Sequence, residues 1–253
     1  MSRLLVDAAT IFRREWLRYR RDRAYWVGQL VFPLAVVGFI GLGLDRVVTL
    51  PTGTNYLGHL SSGMLALLVA SGAVGGGVTL IEDRHSGFLR PLLVAPISRS
   101  SLVLGKLAAR CTASLVLVGA LVAILGTLAP LGIESAAALT TAVVGITAFF
   151  LGLGVVLAVR LRSLESFRLV SALVTVPLYL LSGIFYPLDT LPRPMRLASL
   201  VNPSTYGVDL LRYATLGVAE IPPLYSALVL LAASLAVLAA AVSAIDRDGA
   251  EGG

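Results

Sequence analysis

Residues 82–106 read EDRHSGFLRPLLVAPISRSSLVLGK, a polar stretch between two long apolar runs. The stretch mixes both charge signs with a short apolar stripe made of Phe88, Leu89, Leu92 and Leu93. The whole chain is 57% hydrophobic and only 13% charged, whereas soluble domains are about 25% charged. We therefore interpret the chain as an integral membrane protein, in which a polar loop of this length lies outside the lipid.

The apolar runs predict an all-α membrane protein with six transmembrane helices in a single transmembrane domain, residues 1–253. Each run approaches the ~20 residues that cross a bilayer core, and little chain is left for a separate catalytic domain. The predicted spans are 25–44, 58–81, 107–128, 136–159, 169–186 and 224–245. The remaining segments are a predicted interfacial helix at 1–24, a cytoplasmic loop at 82–106 and an outer region at 187–223.

Lysine and arginine residues set the predicted topology. With the N-terminus inside, 16 of the 20 basic residues fall on the cytoplasmic side and four on the outer side. Basic residues accumulate in the cytoplasmic loops of membrane proteins. Both termini are therefore expected in the cytoplasm, and the 187–223 region is expected to face out.

The N-terminal segment has the pattern of a basic amphipathic helix, which commonly lies in the membrane interface. Its apolar positions recur at steps of three and four residues, with arginines on the opposite side. The apolar positions are Leu5, Ala8, Ala9, Phe12, Trp16 and Tyr19, and the basic positions are Arg14, Arg18 and Arg21. Simple anchoring and direct contact with a partner both fit this pattern.

The outer region at 187–223 contains six prolines, and its apolar pieces are too short to span a bilayer. We expect re-entrant or interfacial helices there, one of them beginning at Asn202-Pro203. Asp209 and Arg212 are three residues apart, a spacing at which they can pair on a helix. Gating of a substrate exit and simple packing as a lid both fit.

The sequence lacks the usual signatures of an enzyme or of an ion-driven carrier. Gly105-Lys106 is followed by Leu107 and lacks the earlier glycine of a phosphate-binding loop. The two histidines, His59 and His85, are expected on opposite sides of the membrane, which argues against a metal site. The predicted spans carry no ionisable groups at mid-membrane depth, where ion-coupled transporters usually keep them.

The polar loop resembles the cytoplasmic motif of ABC type-2 transporter permeases. The matching residues are Glu82, Gly87, Phe88, Leu92, Leu93, Pro96, Ile97, Ser98, Arg99, Leu104, Gly105 and Lys106. Residues 181–188, Leu191-Pro192, Asn202-Pro203 and 209–212 resemble the family's fifth-span end and outer re-entrant helices. Residues 88–91, Phe-Leu-Arg-Pro, depart from the family's Thr-Leu-Glu, so a salt bridge from that glutamate is not carried over.

The resemblance implies the permease subunit of an ATP-driven exporter in a bacterial inner membrane. A separate cytoplasmic subunit would bind ATP and Mg²⁺, this chain would bind no cofactor or metal, and a second copy or related permease would complete a two-plus-two assembly. The substrate would be an amphipathic drug, antibiotic, lipid or glycan-like molecule. A non-transporting membrane scaffold and an ion-coupled carrier are the alternatives.

The residue pattern and the resemblance together place candidate site residues in two regions. ATPase coupling is assigned to a helix within the polar loop, through Glu82, Gly87, Phe88, Leu89, Leu92, Leu93, Pro96, Ser98, Arg99 and Lys106. An outer gate is assigned to Tyr179, Gly183, Phe185, Tyr186, Pro187, Asn202, Pro203, Asp209 and Arg212.

Overall fold

The computed structural model describes residues 2–50, 53–85, 99–129, 131–161 and 163–251. Over these ranges the chain consists of helices, turns and an isolated bridge between Thr49 and Asn55. The helices are α1 (Ser2–Arg21), α2 (Arg23–Val36), α3 (Tyr56–His85), α4 (Arg99–Leu125), α5 (Ala136–Arg160), α6 (Leu164–Leu180), α7 (Arg193–Val201), α8 (Pro203–Leu216) and α9 (Pro223–Glu251). A π-helical turn, Val37–Gly41, extends α2 into Leu42–Leu44, and a 3-10 turn, Leu188–Thr190, precedes α7.

Five helical segments in the described part of the chain are long and apolar enough to cross a membrane. They are Arg23–Leu44, Tyr56–Glu82, Ser100–Leu125, Ala136–Arg160 and Pro223–Arg247. Helix α6 has 17 residues, which at 1.5 Å per residue gives about 25 Å, less than a bilayer core of about 30 Å. The all-α membrane fold is confirmed, and the sixth span stays a prediction.

Helix α6 differs from the predicted span at 169–186. It begins earlier, at Leu164, because the hydroxyl of Ser163 accepts a hydrogen bond from the backbone N–H of Ser166 at 3.1 Å. It ends at Leu180, and Gly183 then adopts φ +77°. That left-handed conformation suits glycine and interrupts a helix, so the chain turns where the apolar pattern suggested that the span continues.

The polar loop predicted at 82–106 is shorter in the structure, because helices enter it from both sides. Helix α3 extends to His85, and α4 begins at Arg99. Lys106 therefore lies about two turns inside α4. The predicted coupling helix lies outside the described residues, as do Gly87, Phe88, Leu89, Leu92, Leu93, Pro96 and Ser98.

Helices α3 and α5 form the centre of the bundle. In each of them 72% of the apolar stretch is buried, against 17% for α2 and α9. Glycines bring the two backbones together, since a Cβ on Gly77 would lie 2.4 Å from the carbonyl oxygen of Gly154. Such small-residue contacts let membrane helices pack closely. Helix α3 is thus a central, tightly packed helix that runs from one end of the molecule to the other.

Candidate functional site

Helix α1 packs lengthwise against the first half of α4. Gly105 makes the close approach possible, because a Cβ there would lie 2.7 Å from both the Ala8 carbonyl oxygen and the Ile11 Cβ. The hydroxyl of Ser101 donates a hydrogen bond to the Leu4 carbonyl oxygen at 3.2 Å. The N-terminal helix is therefore part of the packed bundle.

The buried face of α1 differs from the apolar face that the sequence predicts. Leu5 is 61% exposed, whereas Ile11 and the acidic Glu15 are buried. The reason is that Glu15 faces Lys106 of α4, while Arg14 approaches the same carboxylate at 3.5 Å. Of the other predicted interfacial residues, Phe12 and Trp16 are half-buried and Arg18 and Arg21 are exposed.

A buried ion cluster joins α1 to α3 and α4. Lys106 Nζ lies 3.1 Å from Glu15 Oε1 and donates a hydrogen bond to Thr79 Oγ1 at 2.9 Å. The side chains of Lys106 and Glu15 are only 5% and 1% exposed. At the rim, Arg18 of α1 forms an ion pair with Glu82 of α3. We call these five residues, Glu15, Arg18, Thr79, Glu82 and Lys106, the α1 cluster.

Arg110 connects α2 to the same end of the bundle. Its guanidinium carbon lies 4.4 Å from the centre of the Tyr19 ring, and its Nη1 donates to the Tyr25 hydroxyl at 2.9 Å. Burial raises the pKa of Tyr19 to about 12, so the ring is a neutral phenol whose face attracts the cation. Trp26 Nε1 donates to the Tyr19 carbonyl oxygen at 2.8 Å. Helices α1, α2 and α4 therefore meet at one packed junction.

We expect Gly105→Ala to lower the thermal stability of the protein and to loosen α1, because the added methyl group overlaps the α1 backbone. Overpacking of this kind typically costs about 1–3 kcal/mol. Gly119→Ala is the matched control in the same helix, since a Cβ there meets nothing within 4 Å. The melting temperature (Tm) and protease protection of α1 measure the effect, and equal values for the two variants would contradict the packing described here.

A second buried ion cluster ties α8 to the other end of α3. Arg212 Nη1 lies 3.2 Å from Glu220 Oε1, and Nη2 donates to the Gly183 carbonyl oxygen at 2.8 Å. The same Nη2 lies 3.1 Å from His59 Nε2. The side chains of Arg212 and Glu220 are 2% and 8% exposed. We call His59, Gly183, Asp209, Arg212 and Glu220 the α8 cluster.

Asp209 does not form the ion pair with Arg212 that the sequence spacing predicts. Its Oδ1 accepts a hydrogen bond from the Glu220 N–H at 2.8 Å, and its Oδ2 accepts from the Ile221 N–H at 3.2 Å and the Ser226 hydroxyl at 3.3 Å. The loop after α8 thus satisfies this carboxylate, while Arg212 turns toward α3. Burial raises the pKa of both Asp209 and Glu220 above the ordinary values. These three hydrogen bonds and Arg212 oppose the shift at Asp209, and Arg212 and the Leu188 N–H oppose it at Glu220.

Asn202 and Pro203 begin α8, as the sequence predicts. Asn202 Oδ1 accepts a hydrogen bond from the Ser204 N–H at 3.0 Å and caps the helix. The other end of the amide, Nδ2, donates to the Leu178 carbonyl oxygen at 2.7 Å. One side chain therefore starts α8 and fixes it to α6.

Five of the predicted gate residues lie at the end of α6 and in the turns that follow it. They are Tyr179, Gly183, Phe185, Tyr186 and Pro187. The Tyr179 ring lies 5.5 Å from the ring of Phe150 on α5, and the Tyr186 hydroxyl donates to the Leu180 carbonyl oxygen. Of this group, Gly183 belongs to the α8 cluster, in which its carbonyl oxygen accepts a hydrogen bond from Arg212.

The two clusters lie at opposite ends of α3. Twenty residues separate His59 from Thr79, which in a helix amounts to about 30 Å, the thickness of a bilayer core. Charged groups cost less near the membrane surfaces than at the bilayer centre. Each cluster is therefore placed where a membrane protein tolerates buried charge, and α3 links the two.

Sequence reasoning missed the acidic residue of each buried ion pair, although a signal was present. Glu15 lies four residues after Ile11 and four before Tyr19, on the stripe that becomes buried. Glu220 is the acidic residue within the otherwise uncharged stretch 217–223. An acidic residue on an apolar face needs a buried partner, and each of these has one. In the described residues no group of three or more metal-ligating side chains is present.

The sequence is similar to that of a transporter family over most of its length. A sequence model of the ABC-2 type transporter family matches residues 7–216. Nodulation protein J of Rhizobium leguminosarum bv. trifolii is 28% identical over 213 residues, which cover 82% of this chain and 80% of that protein. A protein named as transport permease ycf38 in Pyropia yezoensis is 30% identical over 220 residues, which cover 83% of this chain and 74% of that protein.

Proposed function

The chain belongs to the ABC-2 type transporter family, and on this premise we propose that it is the permease subunit of an ATP-driven exporter. It acts in the inner membrane of a bacterium with both termini in the cytoplasm. A separate ATP-binding subunit hydrolyses ATP with Mg²⁺, and two permease chains, identical or related, complete a two-plus-two assembly. The substrate is an amphipathic drug, antibiotic, lipid or glycan-like molecule.

The position of the α1 cluster is the observation that carries this proposal. It joins the two helix ends that flank residues 86–98, since Glu82 lies four residues before that segment and Lys106 eight residues after it. A subunit that binds 86–98 therefore moves α3 and α4 together, and α1 with them. A nucleotide shifts such an assembly only when its two conformations bind the partner unequally.

Helix α3 is the proposed route from the ATP-binding subunit to the opposite face. It is the central helix of the bundle and has the α1 cluster near one end and the α8 cluster at the other. A displacement of its cytoplasmic end is passed along a helix that packs tightly on α5 and cannot bend freely. The α8 cluster then responds at the end where, in the proposed topology, substrate leaves.

Native mass spectrometry of this chain co-expressed with a candidate ATP-binding subunit tests the proposal. We expect a two-plus-two assembly for the wild type and loss of the ATP-binding subunit, but not of the permease dimer, for Leu92→Asp with Arg99→Glu. Arg196→Glu is the control, because its side chain pairs with the exposed Asp189 next to α7, in the region predicted to face out. Absence of any assembly with the ATPases of neighbouring reading frames would favour the membrane scaffold instead.

A further inference from the structure

The α8 cluster contains one more acidic group than basic groups. Asp209 and Glu220 are acids, and Arg212 is a base that keeps its proton at every physiological pH. All three side chains are largely withdrawn from water. With both carboxylates ionised the cluster has a net charge of −1, and an unbalanced buried charge is costly. The charge of Asp209 favours a proton on Glu220, so the two carboxyl groups together gain by holding one proton.

His59 does not supply the balancing positive charge. Its Nε2 lies 3.1 Å from Nη2 of Arg212, and a guanidinium group can only donate. Nε2 is therefore the acceptor, the ring is neutral, and the hydrogen is assigned to Nδ1. A second proton on the His59 ring would make Nε2 a donor as well, and it would then face the donor Nη2 of Arg212. Asp189 also faces Glu220, but it is 64% exposed and paired with Arg196.

The cluster holds four segments of the chain together. Arg212 of α8 reaches α3 through His59 and the turn after α6 through the Gly183 carbonyl oxygen. Glu220, from the loop between α8 and α9, accepts a hydrogen bond from the Leu188 N–H at 2.8 Å in addition to its ion pair with Arg212. Separation of these segments would expose the carboxylates to water, where they hold a proton less readily.

We propose that the α8 cluster is a proton-binding latch, in which the Asp209–Glu220 pair takes up one proton when α8 and the following loop close on α3 and releases it when they part. In the closed state the two carboxyl groups are shielded from water and the cluster has a net charge close to zero. In the open state water reaches the carboxyl groups and both are ionised. Acid on this side of the membrane therefore holds the latch shut. That this side is the outer one rests on the proposed function, whereas the proton linkage does not.

The sign of the pH dependence follows from the two carboxyl groups. Burial raises the pKa of Glu220 above its ordinary value of 4.5 and that of Asp209 above 3.8. Below those ordinary values both the open and the closed state are protonated, and the advantage of closure is complete. The advantage falls as the pH rises toward the raised pKa of the closed state and is constant above it. One proton changes the closing equilibrium by at most about tenfold per pH unit.

Hydrogen exchange of the whole chain in lipid nanodiscs measures the latch directly. Protection of the Leu188 N–H reports closure, because this group donates to Glu220 from the turn after α6. The N–H groups of Glu220 and Ile221 donate to Asp209 within α8 and the following loop, so their protection reports the exclusion of water from the carboxyl pair. After correction for the intrinsic exchange rate, we expect wild-type protection of these amides to rise severalfold between about pH 8 and about pH 4.5. Glu220→Gln should abolish the rise, and Asp189→Asn should keep it.

Equal wild-type protection at both pH values would overturn the latch, and so would a rise spread evenly over all helices. A full rise in Glu220→Gln would also overturn it. If Glu220→Gln does not fold, the wild type and Asp189→Asn are sufficient for the test. A rise in protection that is confined to the three amides in both proteins supports the latch. The assay contains no ATP-binding subunit, so its outcome and that of the assembly test are independent.

Discussion

Replacing Arg212 with leucine should lower the free energy of unfolding by about 3–5 kcal/mol, the usual cost of removing one partner of a buried ion pair. The variant leaves Glu220 without its cation while the side chain stays largely withdrawn from water. It also removes the hydrogen bonds to the Gly183 carbonyl oxygen and to His59. We expect α8 to detach from α3, which exposes an otherwise buried helix.

Thermal unfolding in a mild detergent measures this loss, with Arg196→Leu as the matched control. Arg196 also pairs with a carboxylate, at 2.7 Å from Asp189, but the two side chains are 52% and 64% exposed. Exposed pairs contribute about 0–1 kcal/mol, so the control should melt close to the wild type. Similar Tm losses for Arg212→Leu and Arg196→Leu would mean that burial does not determine how much the Arg212 ion pair contributes to stability.

The helices could be predicted from the sequence wherever the bilayer sets the length of the element. Helix α5, at Ala136–Arg160, matches the predicted 136–159 almost residue for residue. It is apolar along its length and ends at an arginine. Ser135 caps its start, because the Ser135 hydroxyl accepts a hydrogen bond from the Ala138 N–H at 3.3 Å. Lipid requires every backbone group to be satisfied inside the segment, so an apolar run of this length has no other stable conformation.

Helix ends outside the lipid could not be predicted in the same way. Helix α4 begins at Arg99, eight residues before the apolar run that predicts it. The added turns contain Lys106, which is polar by composition but buried because Glu15 lies opposite on α1. Apolarity marks the part of a helix that lies in lipid and not the end of the helix. A polar helical turn that packs against a polar turn of another helix is therefore predicted, wrongly, to be a loop.

The ion-pair and hydrogen-bond partners in the candidate site also could not be predicted from the local spacing of residues. Arg212 contacts His59 across 153 residues of sequence and Glu220 across eight. The three-residue spacing to Asp209 indicated a local pair, yet the carboxylate is bound by backbone N–H groups of the following loop. Which donor reaches a buried acid depends on the tertiary packing of several segments. The predicted coupling residues within 86–98 stay a prediction.

Removing either Glu15 or Lys106 should destabilise the protein, and removing both should cost much less than the sum of the two single losses. The pair lies at 3.1 Å with side chains 1% and 5% exposed. We expect each of Glu15→Leu and Lys106→Leu to cost up to about 3–5 kcal/mol, and Lys106→Leu to cost less, because Arg14 still approaches the Glu15 carboxylate at 3.5 Å. The double variant replaces the pair with apolar contacts and can approach the wild type in Tm.

The rim pair Arg18–Glu82 is the control for the same cluster, since its side chains are 43% and 44% exposed. A double-mutant cycle on this pair should give a coupling energy of no more than about 1 kcal/mol, against several for Glu15–Lys106. Additive losses at Glu15 and Lys106 would contradict a direct buried pair. If the cluster also transmits the movement of the ATP-binding subunit, the double variant should remain folded and assembled but transport less per ATP hydrolysed. The double variant would then keep its stability without the polar contact between α1 and α4. A loss of transport in a stable protein distinguishes a coupling role of the cluster from a purely structural one.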